Sequence, residues 1–598
     1  MSIRRSSSLV ALAAVTAMPI VRAATYVVTR HDDPAVIACT PRDCSLRSAV
    51  IAANANPGPD VIQLSKGEYD LALAPFHLIP GGALHVQDDL AVQGLGARST
   101  TIRQHAHYRV FDAWSTRLDI VGVALLDGEV PEAQAADGGG CLYAENADVT
   151  LTDDVLANCS AGYIGGAVHM RGGHLVLDGT SIERNRAAIG GGIAMDGSDP
   201  RLALRNHARL HANAADWGGA LDARAGVADA HGEIAHGAIV VMDAGSLVDA
   251  NHATYGGGAV FVESGKGLGV SLDEDDVDTP GAFARFVSNE SLPAEVGGNG
   301  GAFLGEGALV LARVRLEANR AIRGGALNMR RSLPTPFCPT TAVFDSLLLG
   351  NTAVVDGGAI WGGQGAVYVD RTAFDDNHAT YLGGAIYYAS GDLHALGACD
   401  VAGVSLANAS VHANGANHGA GIAIGNGAGV HGYARLDVHY ASFLANHSTS
   451  FDGAADVYVE NERVADGRGG FALSENGATT RASVYTGGCA YGTPSALATL
   501  GANVDTSAYT CTGSGDRAGV DPTALDLAYG YYGGLFALAG IVSPASVLID
   551  AADGDCRPPT RAVPCAPRPS ATAARSNGMR RSREPQRLSA CVSRLLPG

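Results

Sequence analysis

One repeating unit runs through the middle of the chain and constrains its fold more than any other feature. Each copy has an Asn, a small residue (most often Ala) two places on, a short spacer, Gly-Gly-(Ala/Gly), and then alternating apolar residues. Asn158 precedes Gly165-Gly166-Ala167, Asn185 precedes Gly190-Gly191-Gly192, and Asn213 precedes Gly218-Gly219-Ala220. Asn251 precedes Gly256-Gly257-Gly258, Asn319 precedes Gly324-Gly325-Ala326, Asn351 precedes Gly357-Gly358-Ala359, and Asn377 precedes Gly383-Gly384-Ala385. Asn289, Asn414 and Asn446 head weaker copies. The Asn-to-Asn spacing varies from 26 to 38 residues. Helical repeats hold their period tightly, whereas a β-helix admits insertions, because a loop can leave a coil sideways without disturbing the stack. Between anchors the sequence alternates with period two, as in Leu175-Val176-Leu177 and Val367-Tyr368-Val369, which is the pattern of strands.

The expected fold is therefore all-β: a single-stranded right-handed parallel β-helix of about three short strands per unit, stacked roughly 4.8 Å apart. About a dozen coils would give a rod on the order of 60 Å long. The 79 glycines and the low aromatic content of 6% suit such a narrow tube. Glycine lets the chain turn sharply. Asn tolerates the left-handed conformation of a tight bend, and stacked Asn amides can bond along the tube as a ladder. Asn158, Asn185, Asn213, Asn251, Asn319, Asn351 and Asn377 thus read as structural rather than ligand-binding.

An open solenoid end must be capped. Ser45 is a natural helix N-cap, and Leu46, Ala49, Val50 and Ala53 form one apolar stripe at helical spacing, so a short capping helix is expected over the first coil. Ahead of it, Arg4, Arg5, the apolar stretch Leu9 to Ile20, and Val21-Arg22-Ala23 read as a secretory signal. That stretch is short for a transmembrane helix, and no transmembrane segment is expected in the mature chain.

Two resemblances follow. Asp43-Cys44-Ser45-Leu46-Arg47, the run Ala49 to Asn54, Asp60-Val61-Ile62 and Gly67-Glu68-Tyr69 resemble the CSLREA domain found at the N-termini of exported bacterial β-helix proteins. Ser48 stands where that family has Glu, so only half of the capping box is kept. The repeat over 138–460 resembles that of the polymorphic outer membrane proteins, a family of bacterial surface proteins. Gly501-Ala502-Asn503, Val520-Asp521-Pro522, Gly533-Gly534, Ser543-Pro544-Ala545 and Ile549-Asp550 resemble, in order, the closing module of the CSLREA proteins. The family's Cys-Asp-x-Gly-Ala-x-Glu ending is missing. Beyond Cys556 the chain turns rich in Arg and Pro, as a disordered basic tail or a frame error would make it. The expected organisation is a signal peptide at 1–23, an N-terminal cap and first coils at 24–137, repeats at 138–460, C-terminal coils and closing module at 461–556, and the tail at 557–598. Many proteins with this repeat are autotransporters anchored by a C-terminal barrel. The strands of a barrel have no room here, so secretion, or attachment to the outer membrane of a Gram-negative cell through a partner, is expected.

Charge and cysteines narrow the partners. The formal net charge is −19, but the tail holds nine Arg against one acid, Glu584, and the signal holds three Arg and no acid, so 24–556 carries −30. A body this acidic excludes phosphate-neutralising contacts, and no nucleic acid is expected as a partner. Export permits disulfides. Cys39 and Cys44, Cys141 and Cys159, Cys489 and Cys511, and Cys556 and Cys565 lie close in sequence, although spacing does not fix connectivity.

No catalytic residue and no cofactor is assigned. Asp273, Asp275, Asp276 and Asp278 form the densest acidic run and are weak candidates for Ca²⁺, but they lack the EF-hand spacing and glycine, so a solvated loop is the simpler reading. The pairs Asp88-Asp89, Asp153-Asp154, Asp275-Asp276 and Asp375-Asp376 put neighbouring carboxylates on opposite faces of any strand. His252, His378 and His447 each follow a repeat Asn, and Tyr255, Tyr381, Tyr387 and Tyr388 could stack on sugars or cover coil edges. The leading expectation is a non-catalytic protein of the bacterial surface or exterior, active in adhesion or in envelope or glycan interaction, with polysaccharide or cell-envelope components as partners. The alternatives are a polysaccharide lyase or glycoside hydrolase, and a purely structural rod. Three convergent acids on adjacent coils beside an Arg, in a groove, would favour the enzyme.

Overall fold

The computed structural model describes residues 23–541 apart from short internal segments, the longest being 393–402. The expected signal peptide up to residue 22, Cys556, Cys565, the tail and most of the expected closing module lie outside the described residues.

The chain is a parallel β-helix. Parallel register runs without a break from Leu142 through Val168, Ile193, Leu221, Val260, Phe303, Leu327, Ile360, Ile386, Ile422 and Val457 to Cys489. Among the described residues a large sheet of 29 strands wraps most of the tube, and sheets of 15 and 8 parallel strands complete it. The coil between two Gly-Gly turns shows the layout. Ile193–Asp196 and Arg201–Arg205 lie in the large sheet, Arg209–His211 in the 15-stranded sheet and Ala214–Trp217 in the 8-stranded sheet. The coil therefore has four short strands rather than the expected three. The 15-stranded sheet has one strand per coil, from Gly67–Leu71 to Val504–Asp505. Fifteen coils at about 4.8 Å each give a tube roughly 70 Å long. One apolar cluster fills it from Val28 to Cys511.

The N-terminal cap is α1 (Leu46–Asn54), whose N-cap Ser45 accepts a hydrogen bond from the Ser48 backbone N–H. The Ser45 hydroxyl also bonds that of Ser48 at 2.9 Å, using the residue that replaces the capping-box Glu. Arg47 is buried beneath α1. It forks onto Asp33 through two bonds of 2.8 Å and reaches the carbonyls of Gly82 and Ala83 at 2.9 and 3.0 Å. Disulfides join Cys39 to Cys44, Cys141 to Cys159 and Cys489 to Cys511.

Inside the tube nine asparagines form a ladder: Asn185, Asn213, Asn251, Asn289, Asn319, Asn351, Asn377, Asn414 and Asn446. Each Nδ2 donates to Oδ1 of the next at 2.9–3.1 Å. The second Nδ2 hydrogen goes to a backbone carbonyl of the coil before, as from Asn319 to Phe286. Each Oδ1 from Asn213 onward also accepts the backbone N–H of the previous Asn, as Asn319 does from Asn289. Both donors and both lone pairs of an interior member are thus used, which is what makes an amide tolerable in an apolar core. The weaker copies at Asn289, Asn414 and Asn446 are full members.

Asn158 is not a member. It sits one residue early, in the left-handed bend at φ 56°, and Cys159 takes the ladder position, where its N–H donates to Asn185 Oδ1 at 2.8 Å. Elsewhere the left-handed residue is the one before the ladder Asn, such as Ala212, Ala250 or Ala318. The asparagines are therefore kept for their amides, not for the bend. At the far end Asn446 Nδ2 donates to Asp456 Oδ1 at 3.0 Å, so a carboxylate closes the ladder.

Candidate functional site

The residues after each Gly-Gly-(Ala/Gly) triplet alternate in and out. Leu221 and Ala223 point into the core, so Asp222 and Arg224 leave the outer face of the large sheet. Register stacks these outward positions into two rows. The inner row runs Asp112, Tyr143, His169, Ala194, Asp222, Phe261, Leu304, Asn328, Trp361, Tyr387, Ala423, Tyr458. The outer row holds Trp114, Glu145, Arg171 and Asp196 and continues through Arg224, Glu263, Glu306 and Arg330, two places on in each strand.

Most of the inner row is buried although it faces outward, because it lies across the glycine turn of the preceding coil. A Cβ on Gly190 would fall 2.9 Å from the Asp222 Cβ, and one on Gly419 would fall 2.8 Å from that of Tyr458. The residues just before the turns form a rim. Tyr163, Tyr255 and Tyr381 are exposed there, and Trp217 packs on Tyr255 and Phe261 with ring centroids 5.3 Å apart in both cases.

The charged part of this face spans adjacent coils. Tyr143 donates to Glu145 at 2.6 Å. Arg171 stands between Glu145 (3.7 Å) and Asp196 (3.3 Å), and His169 Nε2 lies 3.1 Å from the other Asp196 oxygen. Arg224 Nε donates to Asp222 Oδ2 at 2.5 Å and its Nη1 to the Tyr163 hydroxyl at 3.3 Å. Asp222 is wholly buried, and its Oδ1 has no hydrogen-bond partner. Burial pushes its carboxyl up to about 7, against the pull of Arg224 and with the repulsion of Glu263 and Asp196 added. Burial also raises the Tyr143 phenol, to about 12. Further along the same face, Trp361 and Tyr387 lie 6.4 Å apart, and Tyr458 meets His418 at 5.0 Å.

Of the residues named from sequence, only tyrosines lie on this face, Tyr387 in its inner row and Tyr255 and Tyr381 at its rim. Asp273 and Asp276 tie their turn to earlier coils: Asp273 lies 3.5 Å from Arg205 and also accepts the N–H of Asp275, while Asp276 accepts the N–H of Ala244. Among the described residues the one group of three metal-capable side chains is Glu68, Asp70 and His105, outside that run. There His105 lies 2.9 Å from Asp70 and Arg103 lies 3.0 Å from Glu68. His252 and His378 share a row of the 8-stranded sheet but stand four coils apart, about 19 Å, too far for one ion. Of the four tyrosines named as surface stackers, Tyr388 points into the core and bonds Gly365, and Tyr387 belongs to the inner row. A separate cavity of about 570 Å³ lies on the 8-stranded sheet between Glu129, Arg186, Asp216 and His252, over an alanine floor.

Fold and site together define a β-helix with one polar and aromatic lateral face. No protein-family model matches the chain, and no curated protein matches it. Among solved structures, the chain is similar to the A-module of the Azotobacter vinelandii mannuronan C-5 epimerase AlgE6, at 13% identity over 80% of this chain and 94% of that one, with a TM-score of 0.31. It is also similar to the catalytic domain of a GH87 alpha-1,3-glucanase in complex with nigerose, at 11% identity over 79% of this chain and 69% of that one, with a TM-score of 0.35. Neither likeness bears on the site residues. Among the described residues no helix is long and apolar enough to cross a membrane.

Proposed function

We propose that this is an exported protein of the bacterial surface or exterior that holds a polysaccharide along the outer face of its large sheet, in adhesion or envelope interaction. The observation that carries the reading is the recurrence of aromatic and hydrogen-bonding side chains in two rows on one face, from Tyr143 to Tyr458, with the exposed Tyr163, Tyr255 and Tyr381 along its rim. Rings offer sugar-stacking surface, and the paired Arg and carboxylate groups between them suit hydroxyls. The rows run across the coils, so the glycan lies along the tube axis, with the rim tyrosines at its side. The CSLREA-like cap, the polymorphic outer membrane protein-type repeat and the domain boundaries given above belong to the same proposal, as does a Gram-negative location.

The test is retention of the purified chain on immobilised neutral and acidic glycans. Saturable retention on one of them, weakened about tenfold or more by Trp361→Ala or Tyr255→Ala, is the expected result. Retention that neither substitution changes would move the binding surface off this face. Catalysis is a second reading, favoured by one observation: Asp196, Asp222 and Glu263 stand on successive coils beside Arg224.

A further inference from the structure

We infer that the glycan on this face is also cut there by hydrolysis. Asp222 gives a proton to the leaving glycosidic oxygen, and Asp196, one coil earlier, takes a proton from the attacking water. The inference rests on the glycan reading above.

Asp222 belongs to the inner row and Asp196 to the outer row of the adjacent strand. Strands about 4.8 Å apart, with roughly 6.6 Å between alternate residues, set the Cα atoms of these two residues roughly 8 Å apart. Both side chains leave the same face, where a carboxyl separation of roughly 6.5–9.5 Å leaves room for a water between base and sugar. Asp196 is held from both sides by His169 and Arg171. Asp222 spends only one oxygen on Arg224, and its buried Oδ1 has no partner. An orphaned oxygen is costly in a dry site.

The site is closed in this structure, by the Gly190 turn of the preceding coil on one side and by Arg224 on the other. The Arg224 guanidinium lies 5.2 Å from the Tyr163 ring, and Tyr163 is exposed at the rim. A sugar stacked on Tyr163 displaces the guanidinium and opens Asp222 on that side. The burial that already raises the Asp222 carboxyl then acts without its main opposing charge, so the proton is held until the leaving oxygen arrives. In the step itself, the water oxygen bonds to the anomeric carbon as the bond to the leaving oxygen breaks. The leaving oxygen takes the Asp222 proton, Asp196 takes one from water, and solvent exchange restores both carboxyls. Attack from the opposite face inverts the anomeric configuration. Acids outnumber arginines in the two rows and the body is acidic, so the substrate is a neutral polysaccharide rather than a polyanion.

The experiment incubates the full chain with the neutral polysaccharide that retains it and follows reducing ends and the anomeric proton signal across pH. Expected are an inverted product, a kcat/KM that falls as pH rises through about 7, a kcat that falls only at higher pH, and losses of at least about 100-fold in Asp222→Asn and in Asp196→Asn. Both variants keep their retention on the glycan. Asp196→Asn leaves the buried Asp222–Arg224 pair untouched, so its loss cannot be misfolding if its melting temperature is unchanged. Retention without turnover by the unsubstituted chain overturns this centre and leaves the binding reading standing. Undiminished turnover by Asp222→Asn overturns the centre as well. Failure to be retained on any glycan overturns both.

Discussion

At the residue scale the asparagine ladder shows how a polar side chain can be a core residue. Asn319 is wholly buried, accepts from the N–H and Nδ2 of Asn289, and donates to Asn351 Oδ1 and the Phe286 carbonyl. Asn319→Ala leaves two buried donors and a carbonyl unpaired at about 1–3 kcal/mol each, so a loss of roughly 3–9 kcal/mol is expected. Asn319→Asp does no better, because it sets an acceptor against Asn351 Oδ1. Chemical denaturation followed by circular dichroism checks both; a loss below about 1 kcal/mol would mean the ladder is not a stabilising network. Both glycines of the Gly-Gly turn are needed for space, and the first also for its conformation. Gly324 is left-handed at φ 65°, and a Cβ there would lie 2.1 Å from the Leu327 carbonyl oxygen. A Cβ on Gly325 would lie 2.2 Å from the Gly358 carbonyl oxygen, so either Ala substitution must move backbone, and Gly324→Ala should cost more than Gly325→Ala by about the 1–2 kcal/mol of the left-handed conformation. The Asn series was legible because it repeats. The error at Asn158 was not visible, because Asn suits both the bend and the ladder, and only register shows that Cys159 fills the second place.

At the element scale the capping helix was legible: the Ser45 N-cap and the apolar stripe both follow from local chemistry. The role of Arg47 was not, because its partner Asp33 lies 14 residues earlier and its carbonyl acceptors 35 and 36 residues later. Removing one partner of a buried, fully bonded pair leaves the other charge stranded, so Arg47→Ala should destabilise by about 3–5 kcal/mol. Because each coil leans on its neighbours, the damage should begin at the N-terminal end. Hydrogen exchange in the strands Asp60–Gln63 and Leu84–Val86 should rise before that in Leu327–Met329. Uniform loss of protection would instead mean that the tube unfolds as one unit. The outward rows were hidden for a different reason. Aligning the copies on Asn draws attention to the turn, whereas aligning them on Gly-Gly and reading the fourth and sixth residues from the first glycine gives Asp222 and Arg224, and His169 and Arg171, directly.

At the scale of the whole molecule, burial of acids inside a tube makes stability depend on pH. Asp154, Asp222 and Asp456 lie at separate places along the tube, and burial pushes each carboxyl up to about 7. In the unfolded chain the same groups titrate near the ordinary aspartate value, about 3.9. Between these two values the folded chain holds the extra protons. Stability is therefore greatest below the unfolded value and falls as pH rises toward 7, after which these groups contribute no further slope. A shift of about three units corresponds to about 4 kcal/mol per group at most. The acidic body works in the same direction, since protonation relieves self-repulsion. The melting temperature should accordingly be higher near pH 5 than near pH 8. Asp154→Asn separates the two causes. Asp154 Oδ1 accepts the Val123 N–H at 2.7 Å, a bond that an amide oxygen keeps, while its buried Oδ2 has no hydrogen-bond partner. The substitution removes the penalty of a buried charge and changes the net charge of the body by one unit in thirty. It should raise the melting temperature near pH 8 and leave it nearly unchanged near pH 5. If the variant and the parent differ equally at both values, the pH dependence comes from the distributed charge of the tube and not from its buried carboxyls.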